Sequence, residues 1–350
     1  MKHSTIVVIG LVAALFLLGT SAMMQQERAT RQPIAQDGIP DAYTSNNAWH
    51  KVILGADDQA AYNELLDKGA ILDQINYGSF RLVVVNEQAM GGRAALQALA
   101  AAVQDNFNLI ALNGYLLDTT NAEATYSTLP ADLRKTDIAD ALARGIQPAG
   151  GLYIVQFAGP IQDAWLDALK ATGVEVVTYI PSNAYIVRGN SKSAASLISF
   201  AAQNRYAQFV GDYEPAFRLS PETRAAREKD GATLVNVTVQ VIDGPDAKQT
   251  IANLAALASE VVGTYRVMNY HNVALRVRAG QLAQMAHYDD VFAIEERTER
   301  RRLDEAQGQI VAGNLSGNSP TGPGYLAWLA GKGFTSSQFT SFSVNVADDT

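Results

Sequence analysis

The sequence predicts an α+β fold built from tandem βαββαβ units, each a four-stranded antiparallel sheet with two helices on one face. Three observations lead there. Apolar, β-rich runs with alternation are followed by amphipathic helical stretches. That order recurs along the chain. Gly, Pro and Asn sit at the joins.

The clearest copy covers residues 150–219. "GLYIVQFAGP" is a strand, and "IQDAWLDALKATG" places Ile161, Trp165, Leu166 and Leu169 on one helical face before a stop at Gly173. "VEVVTYI" and "AYIVRG" form a strand pair across "PSN". "SKSAASLISFAAQN" is a helix with Ser191 as N-cap, and "YAQFVGDYEP" is the closing strand. This is the ferredoxin-like split βαβ order. Residues 230–302 repeat it: strand "LVNVTVQVI", helix "DAKQTIANLAALAS", strands "EVVGTYRVMNY" and "NVALRVRAG", helix "QLAQMAHYD", strand "VFAIEERT". A weaker copy fills 48–120, from "HKVILG" through "DQAAYNELLDKG", "AILDQINYG", "FRLVVVN" and "GRAALQALAAAV" to a last strand, "NLIALNGYLLD". Residues 121–149 read as a polar linker with one short helix near Asp137 to Ala143. A polar helix or loop near Ser220 to Lys229 joins the last two units, and each sheet is expected in the strand order 4-1-3-2.

The N-terminus has a basic start at Lys2, an apolar run from Ile6 to Leu18 and small residues at Thr20 and Ala22. That is the layout of a secretory signal peptide over 1–22. The run is short of the ~20 residues a membrane span needs. Residues 23–47 are Gln-rich with Pro33 and Pro40, and read as a disordered linker. The expected location is secreted, periplasmic or cell-surface, with no membrane contact beyond the signal peptide.

With 48% apolar residues, the chain can bury real cores. A formal charge of −8 argues against a nucleic-acid partner. The absence of cysteine excludes disulfides, thiolate metal sites and a thiol nucleophile. His50, His271 and His287 lack metal-ligand spacing, so no metal or cofactor is visible. Asp57–Asp58 and Asp289–Asp290 sit at turns or helix starts, where capping explains them. Gly91–Gly92 and Gly150–Gly151 are turn punctuation, with no Lys-Ser/Thr to make a phosphate loop. Tyr179, Tyr185, Tyr265 and Tyr270 fall on strands, as packing or as a docking surface. "ERTERRR", Glu296 to Arg302, is a solvated strand end or an exposed cleavage segment.

After Arg302 the character changes. A Gly/Asn/Ser-rich stretch leads to a short helix "YLAWLAGKG", then to "GKGFTSS" (Gly331 to Ser337) and "FSVNVADDT" (Phe342 to Thr350). This stretch resembles the start of the catalytic domain of subtilisin-like serine peptidases. There a short helix precedes Gly-Tyr/Phe-Thr-Gly-Ser, and an alternating valine strand delivers the triad aspartate. Ferredoxin-like units behind a signal peptide resemble the propeptides of that family. "GTSAM" (Gly19 to Met23) mimics the family's nucleophile signature but lies in the leader.

The resemblance implies an exported endopeptidase acting on proteins or peptides, with residues 303–350 as the start of its α/β catalytic domain. It implies that Asp348 or Asp349 is the triad acid. Alternation favours Asp348, which is in phase with Phe342, Val344 and Val346, and the Asp-Thr reading favours Asp349. The triad histidine and serine would follow Thr350, so this stretch alone is expected to be inactive. Val344 and Val346 are then expected to lack their partner strands. Calcium sites, common in the family, cannot be placed here. The resemblance further implies that unit 230–302 chaperones and inhibits its own catalytic domain. The alternatives are a non-enzymatic secreted inhibitor or protein-binding module, and a regulatory small-ligand domain.

Overall fold

Alternation organises the first sheet. The computed structural model describes residues 47–99, 103–135, 150–298, 309–317, 319–321 and 324–339. In β1 (Trp49–Gly55) and β3 (Phe80–Asn86), Val52, Leu54, Val83 and Val85 turn one way, onto α1 (Gln59–Asp67), α2 (Glu87–Met90) and α3 (Arg93–Leu99). Leu65, Met90 and Leu96 complete that core. Asn86 caps α2 by accepting from the Gln88 and Ala89 N–H groups. With β2 (Ile71–Asn76), the antiparallel order is β1-β3-β2.

The expected fourth strand of this unit is instead a hairpin. β4 (Leu109–Leu112) and β5 (Tyr115–Asp118) pair with each other through Asn113 and Gly114, at φ 45° and 83°. Two successive positive φ values define the tight turn that suits a twisted hairpin. Ile110, Leu112 and Leu117 then enter a large central core, leaving three strands in the first sheet. The stretch read as a polar linker joins the same core. α4 (Ala122–Tyr126) and a 3-10 turn (Ala131–Leu133) bury Tyr126, Leu129 and Leu133. The short helix expected near Asp137 to Ala143 lies outside the described residues.

β6 (Gly151–Phe157), α5 (Asp163–Ala171), β7 (Glu175–Ile180), β8 (Ala184–Gly189), α6 (Ser191–Gln203) and β9 (Ala207–Asp212) follow in order. The sheet runs β7-β8-β6-β9. Gly173, at φ 86°, ends α5. Asn190 rather than Ser191 caps α6, accepting from Lys192 and Ser193. Tyr153, Val155, Phe157 and Val187 face the helices with Trp165, Leu169, Leu197 and Phe200. Leu152, Ile154, Ala184 and Ile186 belong to the central core, so this sheet is covered on both faces.

α7 (Pro221–Lys229) begins with Ser220, whose hydroxyl accepts from Thr223 N–H, and with Pro at its first position. β10 (Leu234–Ile242), α8 (Ala247–Leu257), β11 (Glu260–Val267), β12 (Tyr270–Arg278), α9 (Leu282–Ala286) and β13 (Val291–Glu296) then repeat the pattern. The sheet runs β11-β12-β10-β13. Counted within its own unit, each of the two four-stranded sheets has the order 2-3-1-4. Val237, Val239, Val273, Leu275 and Ile294 share the central core with Leu254, Leu282 and Met285.

Pro215–Leu219 joins the two sheets and is itself buried. Leu219 bridges Ile294 in parallel, at one point of the β13 edge. The described residues up to Arg297 form one compact unit, and those from Thr298 on a second. The described part of the second holds a two-residue ladder, β14 (Leu315–Ser316) with β15 (Ser319–Pro320). It also holds α10 (Gly324–Gly331), the helix anticipated from "YLAWLAGKG", with Gly333 at φ 89° just beyond it.

Candidate functional site

Asp348 and Asp349 lie outside the described residues, as do Val344, Val346 and the 299–302 portion of the charged tail. No described geometry bears on the triad acid. The described approach to it ends in a 3-10 turn, Ser336–Phe339, where Thr335 N–H donates to Gln338 Oε1 at 2.8 Å.

The histidines occupy separate places. His271 Nε2 is 2.9 Å from Asp243 Oδ1, and His287 Nε2 is 2.9 Å from the Asp132 carbonyl. His50 is fully buried between two carboxylates, with Nδ1 2.6 Å from Asp105 Oδ2 and Nε2 2.7 Å from Glu87 Oε2. The hydrogen bond from His50 holds the Glu87 carboxyl below its ordinary value. With both ring nitrogens engaged, His50 has none free for general-base work. It is a strut tying β1 to α2 and the 105–108 turn. Among the described residues, no group of three or more His, Cys, Asp or Glu could hold a metal ion.

The paired aspartates do less capping than expected. Asp58 Oδ2 accepts from Gly55 N–H, closing the turn before α1. Asp289 pairs with Lys135 at 2.5 Å. Asp290 is buried and accepts from the Thr250 hydroxyl at 2.7 Å, anchoring α8, and burial raises its carboxyl pKa. The four tyrosines do not form one surface. Tyr185 packs against Phe157 and Tyr270 against Phe292, while Tyr179 and Tyr265 stand exposed on the edge strands β7 and β11.

The helix-free face of the third sheet is built differently from that of the second. Cross-strand pairing lays Tyr265, Asn272, Gln240 and Ala293 in one row, and Gly263, Ala274, Thr238 and Glu295 in the next. Directly opposed residues share a face, so these rows form one surface. Its centre is small and polar, and none of its residues belongs to a described hydrophobic core. The β-bulge beside Gly263 bends the edge.

Three buried polar groups gave no signal in the sequence. Lys51, in β1, is 1% exposed, and its Nζ has no hydrogen-bond partner. Burial pulls its ammonium down to about 7, against an upward pull from Asp105. Gln156 Nε2 donates to the Phe107 and Ser182 carbonyls, and its Oε1 accepts from Thr119 and Gln208. Arg218 is fully buried against backbone carbonyls. Lone polar letters inside apolar runs read as surface, which hides such groups.

A family described as a domain of unknown function (DUF8729) matches residues 111–214. That span runs from the hairpin through the second sheet. No curated protein and no solved structure matches the chain. Among the described residues, no helix is long and apolar enough to cross a membrane.

Proposed function

We propose that this chain is the N-terminal part of an exported subtilisin-like serine endopeptidase, and that its third unit assists folding of the catalytic domain and inhibits it. The 2-3-1-4 sheets with their paired helices support reading the second and third units as ferredoxin-like modules of the propeptide type. The observation that carries the inhibitor role is the contrast between their helix-free faces. That of the second sheet is filled with Leu152, Ile154, Ala184 and Ile186, inside the core. That of the third is a platform of small and polar residues, Asn272, Ala274 and Ala293 among them buried, and none belongs to a described hydrophobic core. Such a surface suits reversible docking on a folded partner.

In this reading the serine attacks the scissile carbonyl and the histidine takes its proton. Asp348 or Asp349 holds the imidazole in the required tautomer. The third unit, tethered directly ahead of that domain, needs little intrinsic affinity while the link is intact, because tethering supplies an effective concentration on the order of millimolar. Cutting the tail after β13 removes that advantage.

Deleting residues 230–302 would remove a large part of the core that both sheets share, so substitutions on the platform are the cleaner test. Thr238→Arg and Gln240→Arg put large charges at the platform centre. Added to the separately made catalytic domain, the wild-type chain should inhibit hydrolysis, and each variant should do so at least about tenfold less well at unchanged melting temperature. Equal inhibition by wild type and variants would remove the platform from the mechanism. Reading frame beyond Thr350 without histidine and serine motifs would instead favour a non-enzymatic inhibitor acting in trans.

A further inference from the structure

The first and second units touch on two sides and leave a cleft between them. On one side the Tyr77 hydroxyl donates to the Pro160 carbonyl at 2.9 Å, and Gly159 lies so close to Leu82 that no Cβ would fit. On the other, Gln208 Nε2 lies 3.2 Å from Asn108 Oδ1 and 2.9 Å from the Thr119 hydroxyl. The cleft is open to solvent and has a volume of about 740 Å³. That is within the range of small-molecule sites.

Its walls combine two chemistries. Leu82, Val84, Trp165 and Tyr206 make an apolar slot, with the Trp165 and Tyr206 rings stacked at 4.8 Å. Polar groups interrupt that slot: Lys51 stands directly across the strand pair from Val84, and Gln208 also lines the cleft. Two buried donors are left over in this region, Lys51 Nζ and Asn108 Nδ2, and neither has an acceptor. Asp105, the carboxylate nearest to hand, already accepts from Lys51 N–H and stands 2.6 Å from His50 Nδ1. Unmet donors in a buried site cost free energy until an acceptor arrives.

We propose that this cleft binds a small organic monocarboxylate, its apolar or aromatic body between Val84, Leu82 and Trp165 and its carboxylate accepting from Lys51. Lys51 lines the cleft with its Nζ buried and without a partner, and its flexible four-carbon stem lets the ammonium turn toward a bound carboxylate. Of the two cations that line the cleft, Arg205 is paired with Asp73 at 3.5 Å, which leaves Lys51 to match one negative charge. A dianion would leave a buried charge unmatched, and Asp73 at the mouth, 3.5 Å from Arg205, repels it further. The apolar walls disfavour inorganic anions. This assignment is independent of the peptidase reading, since no residue of the cleft lies on the third sheet.

The test titrates the full chain with benzoate and hexanoate, with benzamide and hexanol as neutral counterparts. Trp49 and Trp165 both line the cleft, so intrinsic fluorescence reports occupancy. Saturable fluorescence change and a raised melting temperature are expected with the acids, at dissociation constants in the micromolar to low millimolar range. The neutral counterparts should bind at least about tenfold more weakly. Lys51→Met should fold and lose the preference for the acid, and Val84→Trp should block both acid and neutral compound. Absence of saturable binding by either acid overturns the proposal. So does an undiminished acid preference in Lys51→Met.

Discussion

Arg218 Nη1 donates to the Tyr288 carbonyl at 2.6 Å, crossing from the segment that follows the second sheet to the loop that precedes β13. The same guanidinium also donates to the Val291 and Tyr213 carbonyls, and burial lowers its pKa. A planar fork with several fixed donors can serve carbonyls at different angles, which an ammonium cannot do. Arg218→Lys and Arg218→Met should therefore both destabilise the chain by roughly 2–4 kcal/mol, because each leaves buried carbonyls unpaired. Thermal unfolding checks this, and a Lys variant as stable as wild type would contradict it.

Stability should pass through a shallow minimum near neutral pH. Burial lowers Lys51 from its ordinary 10.5 to about 7, so between those values the unfolded chain binds more protons, and stability rises with pH across that window. Burial raises Glu214 from 4.5 to about 7, so there the folded chain binds more protons, and stability falls as pH climbs from 4.5 to 7. Denaturant unfolding at a series of pH values measures both limbs. Lys51→Met should flatten the alkaline limb and Glu214→Gln the acid one, each by on the order of 2 kcal/mol.

The hairpin turn should be intolerant of side chains. Gly114 has φ 83°, and a Cβ there would lie 3.1 Å from Arg224 Nη2 and 3.3 Å from Pro221 Cγ. Gly114→Ala should cost about 1–2 kcal/mol through strain and displacement of α7. Gly263→Ala is the control, since nothing lies within 4 Å of its Cβ position. Comparable losses at both sites would refute the explanation.

Much of the fold between Gly151 and Glu296 was legible because each strand alternates and each helix carries its own stop, as at Gly173. The first unit was harder to read. "NLIALNGYLLD" reads as one strand, because the apolar letters on either side mask Asn113-Gly114, a strong local hairpin signal. Tyr126, Leu129 and Leu133 sit in a polar-looking segment, and their burial depends on a core assembled from distant strands. The polar cleft residues were invisible for a related reason. Lys51 is one charged letter in "HKVIL", and only the packing in three dimensions shows that it is buried. The platform of the third sheet is the opposite case, since its alternation was plain while its lack of a hydrophobic cover needed the structure.

The central core has a consequence for the order of events during synthesis. The inner face of the second sheet, with Leu152, Ile154, Ala184 and Ile186, is complete once β9 has been made, yet part of its cover arrives only with β10 to β13. Until the later strands emerge, a greasy face is exposed on a half-made chain, at risk of sticking to its neighbours. A ribosome stalled between Asp212 and Leu234 would hold an unusually sticky nascent chain, and the sheet would become safe to release only after Ile294 had joined it.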